Sequence, residues 1–232
     1  MQALLKKMLT GLTAAGLLTT FCSLPLRADS ITNGSFETPV VPVGGFTNFA
    51  SGSTGITGWT VVGAAGGVSI VSGSFSQNGI SFPAENGVQW LDLTGDGTNS
   101  NEGVQQTFAT TSGTEYTVSF WVGNVYNPGG IFGTTSTVDV RLGGTGGTLL
   151  LAATNANMTT GTQTWEQFST TFTATGSTST LDFINADPDT DNSNGLDNVS
   201  VNPSGQSPVP EPGTLSLLGI GAFGLLLTRK TV

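Results

Sequence analysis

Short segments in which apolar and polar residues alternate run through the middle of the chain, and they constrain its fold most. From Tyr116 to Val122, Tyr, Val, Phe and Val alternate with Thr, Ser and Trp. Five further segments are typical of strands: residues 88–93, 103–110, 137–142, 168–174 and 181–183. A period of two indicates β-structure, and the Gly, Asn, Asp and Ser residues between the segments favour turns. The sequence therefore predicts an all-β, antiparallel β-sandwich or jelly roll, in which the Gly-Gly pairs at 44–45, 66–67, 129–130, 143–144 and 146–147 mark long loops.

The charge balance of this middle region excludes several classes of function. Apart from the two ends of the chain, Arg141 is the single basic residue against fourteen acidic ones, and the chain has no histidine. Such an anionic surface repels nucleic acid and anionic lipid. Without histidine, lysine or cysteine in this region, neither a Ser-His, Cys-His or Ser-Lys nucleophile nor a His/Cys zinc site can form. Four Trp and 13 Phe residues, many of them inside alternating segments, argue against disorder despite 34 glycines.

The first 28 residues have the organisation of a signal peptide. Lys6 and Lys7 precede an apolar stretch, Met8 to Leu24, and a small residue, Ala28, ends the segment. These features predict a secretory signal helix that is cleaved between Ala28 and Asp29. An uncleaved membrane anchor is the alternative.

The other end of the chain carries a short motif followed by an apolar run. Residues 203–213 form a Pro-, Ser- and Gly-rich linker that ends in the motif Pro210-Glu211-Pro212. Within the tail, 214–232, the run from Leu215 to Leu227 is followed by Arg229 and Lys230. Thirteen residues in a helix reach only ~20 Å, less than the ~30 Å hydrocarbon layer of a membrane. A permanent transmembrane helix is therefore not expected.

This tail resembles the bacterial PEP-CTERM sorting signal. The resemblance implies recognition by an exosortase-type processing enzyme in a Gram-negative bacterium that makes exopolysaccharide. It also implies that a hydrophobic sorting helix inserts transiently into the inner membrane before the tail is removed or exchanged. The protein would then reach the cell surface or the extracellular matrix.

Seven motifs occur in a characteristic order between the two ends. They are NGSFETP from Asn33, ITGWTVV from Ile56, QWLDLTG from Gln89, VQQTF from Val104, YTVSFW from Tyr116, WEQF from Trp165 and LDNVSV from Leu196. Their order resembles the choice-of-anchor C bacterial surface proteins and the related plant cell-wall family of unknown function with galactose-binding-like jelly rolls. The resemblance implies a β-sandwich domain over residues 29–202, built on the plan of carbohydrate-binding modules, and it implies no catalytic activity.

Two groups of carboxylates are candidate ligands for a structural calcium ion. Asp187, Asp189 and Asp191 alternate in an acidic loop, and carboxylates at every second position can converge on one hard cation. A solvated acidic turn is the alternative. The resemblance to jelly-roll carbohydrate modules implies calcium between the first and last strands instead, at Glu37 and Asp197. Asp197 shares the face of Val199 and Val201 in a regular strand, so its carboxylate is expected to point inward and to need a partner.

Exposed aromatic side chains beside neutral polar groups are the candidates for binding a polysaccharide. Trp121 is out of phase with the apolar face of its strand, and Tyr126 and Asn127 follow in the next loop. Burial of Trp121 under a loop is the alternative. Trp59 and Trp90 are expected in the core, whereas the position of Trp165 is left open. Phe46, Phe49, Phe75 and Phe82 lie in Gly- and Ser-rich loops, where they either form an apolar rim or pack inward.

Only one catalytic route is compatible with this composition. A glycosidase needs two carboxylates, ~5–5.5 Å or ~6.5–9.5 Å apart. Five acids are candidates for such a pair: Glu85, Asp92, Glu102, Glu115 and Glu166. No spacing singles out two of them, so three hypotheses remain: a carbohydrate-binding module, which we favour, a structural or adhesive matrix protein, and a two-carboxylate hydrolase.

Overall fold

The computed structural model describes residues 30–63, 66–95 and 101–204. The predicted signal peptide, most of the linker and the sorting tail lie outside these residues. The described part contains thirteen strands: β1 Phe46–Phe49, β2 Thr60–Val62, β3 Val68–Ser72, β4 Ser76–Gln77, β5 Ile80–Ser81, β6 Gln89–Asp92, β7 Gly103–Ala109, β8 Glu115–Asn124, β9 Ser136–Leu142, β10 Thr148–Asn155, β11 Thr164–Thr173, β12 Thr178–Asn185 and β13 Gly195–Pro203. Within these ranges, no helix has the length and apolarity needed to cross a membrane.

Two antiparallel sheets form a sandwich. The six-stranded sheet has the order β1-β3-β6-β13-β8-β11, and the five-stranded sheet has the order β10-β9-β12-β7-β2. A small hairpin, β4-β5, lies apart from both sheets. Strands that are distant in sequence pair in each sheet, as in a jelly roll. The predicted all-β jelly-roll fold is confirmed.

The core lies between the two sheets and follows from the alternation seen in the sequence. Val118, Phe120 and Val122 of β8 face the five-stranded sheet, where Val140 and Phe183 meet them. All of these side chains are fully buried. Each contributes about 1.5–3 kcal/mol relative to exposure. The predicted core position of Trp59 is confirmed, since it is buried in this cluster and its Nε1 donates to the carbonyl of Asn33 at 3.0 Å.

A second apolar cluster covers part of the outer face of the six-stranded sheet. It contains Val71, Ile80, Phe82, Trp90, Val125 and Phe132. Trp90 is buried as expected, but it lies in this outer cluster and not between the sheets. The reason is phase, because its neighbour Leu91 takes the inward position on β6.

The Gly-Gly pairs at 143–144 and 146–147 do not mark a long loop, so that prediction is wrong. Strand β9 ends at Leu142 and β10 begins at Thr148, and the two pair as a hairpin. The amide of Gly147 donates to the carbonyl of Gly144 at 2.7 Å, which closes the turn. Glycine supplies the backbone freedom of a tight connection as readily as that of a long one.

One end of the sandwich is closed by polar side chains that are all fully buried. We call them the polar end layer; its members are Asn124, Ser136, Asn155, Asn185 and Asn194. Asn194 bridges the two sheets, because its Nδ2 donates to the Thr137 carbonyl and to Asn185 Oδ1, both at 2.7 Å. Asn155 Nδ2 donates to the Val122 carbonyl at 2.8 Å. Buried polar groups are tolerated only when paired in this way.

Candidate functional site

A cleft of about 490 Å³ opens on the outer face of the six-stranded sheet. Ser69 and Val71 of β3 and Trp90 and Asp92 of β6 form its floor. These residues face outward because their neighbours Ile70 and Leu91 point into the core. The remaining lining comes from β1, the β4-β5 hairpin with its flanking residues, and three loops: Phe46, Phe75, Gln77, Phe82, Gly95, Ile131, Phe132 and Asn192.

Aromatic rings form a continuous series along this cleft. Phe46 meets Phe75 edge-on at 5.6 Å between ring centroids, and Phe75 lies 5.5 Å from Phe82. Phe82 stacks on Trp90 at 6.2 Å with an interplanar angle of 10°. Phe46 is 48% exposed and Ile131 is 44% exposed, so the rim of the cleft is apolar and accessible. Gln77, Asn192 and Asp92 add polar groups beside the rings, as in sites for polar ligands with apolar faces.

Trp165 separates this cleft from the rest of the sheet. A Cβ atom on Gly123 or on Gly195 would lie 2.9 Å from its ring, so these two glycines form the bed on which the ring rests. Its Nε1 donates to the Pro83 carbonyl at 2.9 Å, and its ring meets Trp90 edge-on at 6.0 Å. The question that the sequence left open is thus answered: Trp165 is a half-buried structural element of the outer face.

The residues predicted to bind a polysaccharide lie outside the cleft lining. Trp121 is half-buried on the outer face of β8, opposite Gln167 of β11 and Asp197 of β13. Tyr126 is half-buried in the following loop. Asn127 shapes that loop, because its amide donates to the Gly133 carbonyl at 2.8 Å. A polysaccharide-binding surface at Trp121, Tyr126 and Asn127 stays a prediction.

Asp197 does not point to the Val199 and Val201 face, so that expectation is wrong. A register shift between Asp197 and Ser200 changes the phase of β13, and Asn198 has a positive φ of 49°. Asp197 is nevertheless buried, because Oδ2 accepts the amides of Glu85 and Asn86, both at 3.0 Å. Its Oδ1 accepts the amide of Asn198 at 2.7 Å. Burial raises the pKa of Asp197 to about 7, although these amides lower it in part.

Glu37 holds the other end of the same loop. Its Oε1 accepts the amides of Val88 and Gln89, both at 2.9 Å. Glu37 and Asp197 thus hold residues 85–89 from two sides by accepting backbone N–H groups of this segment. These are the two carboxylates at which the family resemblance implies calcium. Carboxylate oxygens that accept N–H donors are less available to a cation. Calcium at Glu37 and Asp197 stays a prediction.

The acidic loop separates its three carboxylates. Asp187 is buried, with Oδ1 accepting the Thr137 amide at 2.7 Å, whereas Asp189 is exposed. Asp191 is half-buried and lies against Gly133. Burial is the main cause that raises the pKa of Asp187 to about 8, and the charges of Asp191 and Asp92 raise it further. Within the described ranges, no three His, Cys, Asp or Glu side chains form a metal-binding group.

The candidate acids for hydrolysis do not gather in the cleft. Of the five, Asp92 alone is among the described lining residues. Burial raises the pKa of Asp92 to about 6, although hydrogen bonds from Thr94 and Asn194 lower it in part. Glu102 is buried immediately before β7, and this burial raises its pKa. Glu85 accepts a bond from Asn198 Nδ2 at 2.9 Å, and Glu115 and Glu166 are exposed on β8 and β11.

Only part of this cleft was predictable from the sequence. Phe46, Phe75 and Phe82 were expected either to form an apolar rim or to pack inward, and they do both, since Phe46 forms the rim and Phe82 is buried. Gln77, Ile131, Phe132 and Asn192 were not predicted. Ile131 and Phe132 lie in a Gly-rich loop, Gln77 is on β4, and Asn192 is in the acidic loop, so the four share no sequence signal.

These features define a class: a jelly-roll β-sandwich with an aromatic cleft on one outer face. A family model described as "Protein of unknown function (DUF642)" matches residues 29–202, and the chain belongs to this family. The match confirms the predicted relation to a family of unknown function, whereas the relation to the choice-of-anchor C proteins stays a prediction. A model of the PEP-CTERM protein-sorting motif matches residues 208–230. This motif signals export and exosortase processing at the cell envelope.

Solved structures are similar to this chain at low identity and low TM-score. The enzymatically active domain of bacteriophage CBA120 tailspike protein 4 is 14% identical with a TM-score of 0.41, over 75% of this chain and 21% of that chain. A structure titled "CBM4 structure and function" is 20% identical with a TM-score of 0.39, over 75% of this chain and 100% of that chain. The CBM22-1 xylan-binding domain of Paenibacillus barcinonensis Xyn10C is 18% identical with a TM-score of 0.41, over 72% of this chain and 100% of that chain.

The chain thus spans about a fifth of the tailspike enzyme and the whole length of the two carbohydrate-binding modules. No curated protein sequence matches this chain. Because the identities and TM-scores are low, these similarities do not assign a function to this chain.

Proposed function

We propose that this protein is sorted to the cell surface or extracellular matrix of a Gram-negative bacterium, where its β-sandwich binds a neutral polysaccharide without cleaving it. Exosortase-type processing would release it from a transient association of the tail with the inner membrane. The observation that carries the binding proposal is the cleft of about 490 Å³, with its aromatic series and accessible apolar rim.

The composition of the cleft fits the two kinds of surface on a sugar ring. The C–H faces of a pyranose are apolar and gain free energy against aromatic rings such as Phe46 and Phe75, at about 25 cal/mol per Å² of area removed from water. The hydroxyl groups at the ring edge need donors and acceptors, which Gln77, Asn192 and Asp92 supply. Neutral glycans are favoured because the chain has a net charge of −9, which repels anionic polymers.

Binding without cleavage is supported by the carboxylates around the cleft. Glycoside hydrolysis uses two carboxylates that flank one bond. Asp92 is the single carboxylate among the described residues that line the cleft. Glu102, Glu115 and Glu166, the other acids considered for such a pair together with Glu85, are not part of this lining.

A glycan array probed with the full chain in mild detergent tests the proposal. We expect saturable binding to neutral polysaccharides and none to anionic ones. Phe46→Ala is the informative variant, because Phe46 is half-exposed on the rim and its loss leaves the core intact. We expect it to weaken binding at least tenfold, which corresponds to about 1.4 kcal/mol.

Trp121→Ala is the matched control, since it removes a half-buried aromatic residue from the same sheet outside the cleft. If Trp121→Ala weakens binding and Phe46→Ala does not, the site lies on the Trp121, Tyr126 and Asn127 surface. If no glycan binds, the structural or adhesive matrix protein becomes the leading hypothesis. Release of new reducing ends that stops in Asp92→Asn would establish a hydrolase instead.

A further inference from the structure

Three buried oxygen atoms without a hydrogen-bond partner lie next to the acidic loop. They are Asp187 Oδ2, Ser193 Oγ and Asn194 Oδ1. Asp187 is 3% exposed, and Ser193 and Asn194 are fully buried. A buried acceptor that lacks a donor costs about 1–3 kcal/mol. The three belong to one short segment, residues 187–194, and a group bound there would give these oxygens a partner.

The surrounding hydrogen bonds place Asp187 and Asn194 side by side. Both use the same two partners: Asp187 Oδ1 accepts from the Thr137 amide, and Asn194 Nδ2 donates to the Thr137 carbonyl, each at 2.7 Å. Asn185 Oδ1 accepts from the Asp187 amide at 3.0 Å and from Asn194 Nδ2 at 2.7 Å. Both donor hydrogens of the Asn194 amide group are thus used, and its oxygen is left as an acceptor.

Asp92 connects this pair to the floor of the cleft. The backbone N–H of Asn194 donates to Asp92 Oδ1 at 3.2 Å. The amide and hydroxyl of Thr94 donate to the same oxygen at 3.0 Å and 2.7 Å, which fixes the carboxylate. The charges of Asp92 and Asp191 both act on Asp187. Arg141, the single basic residue of the described chain, pairs with Asp139 at 2.8 Å and does not compensate them.

We propose that Asp92 Oδ2, Asp187 Oδ2, Ser193 Oγ and Asn194 Oδ1 bind a calcium ion behind the floor of the cleft. All four are oxygen ligands, two of them carboxylates, and calcium accepts six to eight oxygens in flexible geometry. Water and backbone carbonyls would complete the shell. Magnesium is disfavoured because it demands near-ideal octahedral geometry and keeps several waters.

This site differs from the one that the family resemblance implies. Glu37 Oε1 and both carboxylate oxygens of Asp197 accept backbone N–H groups. The oxygens of Asp187, Ser193 and Asn194 named above have no donor. The inference also does not rest on the polysaccharide proposal, because ion binding is measured without any glycan.

Terbium luminescence tests the site, with the full chain in mild detergent after removal of metal by a chelator. Trp90 and Asp92 are adjacent outward residues of β6, so excitation of the indole should sensitise a terbium ion held by Asp92. We expect saturable luminescence that calcium displaces. Asp187→Asn should weaken binding at least tenfold. Asp189→Asn is the matched control, since it removes the same charge from an exposed position of the same loop, and it should bind as the unaltered chain does.

Thermal unfolding provides a second measurement. Calcium at a hundredfold excess over its Kd should raise the Tm by roughly 5–10 °C. Asp187→Asn should lose this shift. If that variant fails to fold, Ser193→Ala should retain the fold and show weaker binding. The proposal is overturned if neither terbium nor calcium binds. In that case a hydrogen-bond donor, either protonated Asp187 or water, takes the place of the ion beside these oxygens. It is also overturned if Glu37→Gln abolishes binding and Asp187→Asn does not.

Discussion

Asp182 makes the stability of the domain depend on pH in a direction opposite to that of most carboxylates. It is fully buried on β12, beside Arg141 of β9. Burial raises its pKa from 3.8 to about 6, and the Gly144 backbone and the charge of Arg141 lower it only in part. The ionised form is therefore disfavoured in the folded state.

The size and sign of the effect follow from this shift. About two pKa units at ~1.36 kcal/mol each give roughly 3 kcal/mol. Because the folded state holds the proton more tightly than the unfolded state, folding is favoured below pH ~4 and this advantage is lost as pH rises through about 6. Asp182→Asn removes the ionised form. We expect the variant to be about 2–3 kcal/mol more stable than the unaltered chain at pH 7.5 and nearly equal at pH 4.

Urea unfolding followed by tryptophan fluorescence measures both values, in the presence of a chelator so that bound metal does not contribute. Glu115→Gln, a change of the same charge at an exposed position, is the control and should shift stability little at either pH. The reasoning is refuted if the gain in Asp182→Asn is as large at pH 4 as at pH 7.5, or if the variant is less stable at both.

Two further predictions concern the outer face of the six-stranded sheet. Gly195→Ala places a methyl group 2.9 Å from the Trp165 ring and should cost about 1–3 kcal/mol in urea unfolding. Gly176→Ala, whose nearest atom would be at 3.7 Å, should be neutral or stabilising, and equal costs would contradict the packing argument. Asp197→Ala removes the acceptor of three amides and should cost at least ~1–3 kcal/mol. It should also speed hydrogen exchange at Glu85 and Asn86; unchanged exchange would show that these bonds to Asp197 are not needed.

The fold was largely predictable because its main signal is local. Alternation in the segments that become β7, β8, β9 and β12 gives both the strands and their inward faces. The hairpin β9-β10 was missed in part because Leu149, Leu150 and Leu151 are consecutive apolar residues at an edge strand, which breaks the period of two. The register shift in β13 was also missed, because a bulge is set by the partner strands and not by the residues inside it.

The site was less predictable because it depends on what covers each face. Phase alone placed Trp121 on the outer face but gave no sign that the cleft forms nearer to Trp90, which is on the same face. Asp187 and Asn194, whose side chains each have an unpaired oxygen, both bond to Thr137 of β9. This contact between distant parts of the chain forms only when the domain folds. In the sequence, the same residues are indistinguishable from those of a solvated acidic turn.

The last strand of the domain occupies the middle of its sheet. β13 pairs with β6 on one side and with β8 on the other, and the sorting tail follows it in the chain. If the proposed surface protein is held by its C-terminal side, a pulling force on the domain reaches the anchor through this strand. We expect mechanical extraction of β13 to break the hydrogen bonds on both of its sides, so resistance to flow depends on the unfolding rate of the whole sandwich. A C-terminal anchor would thus be joined to the domain through a central strand and not through an edge strand.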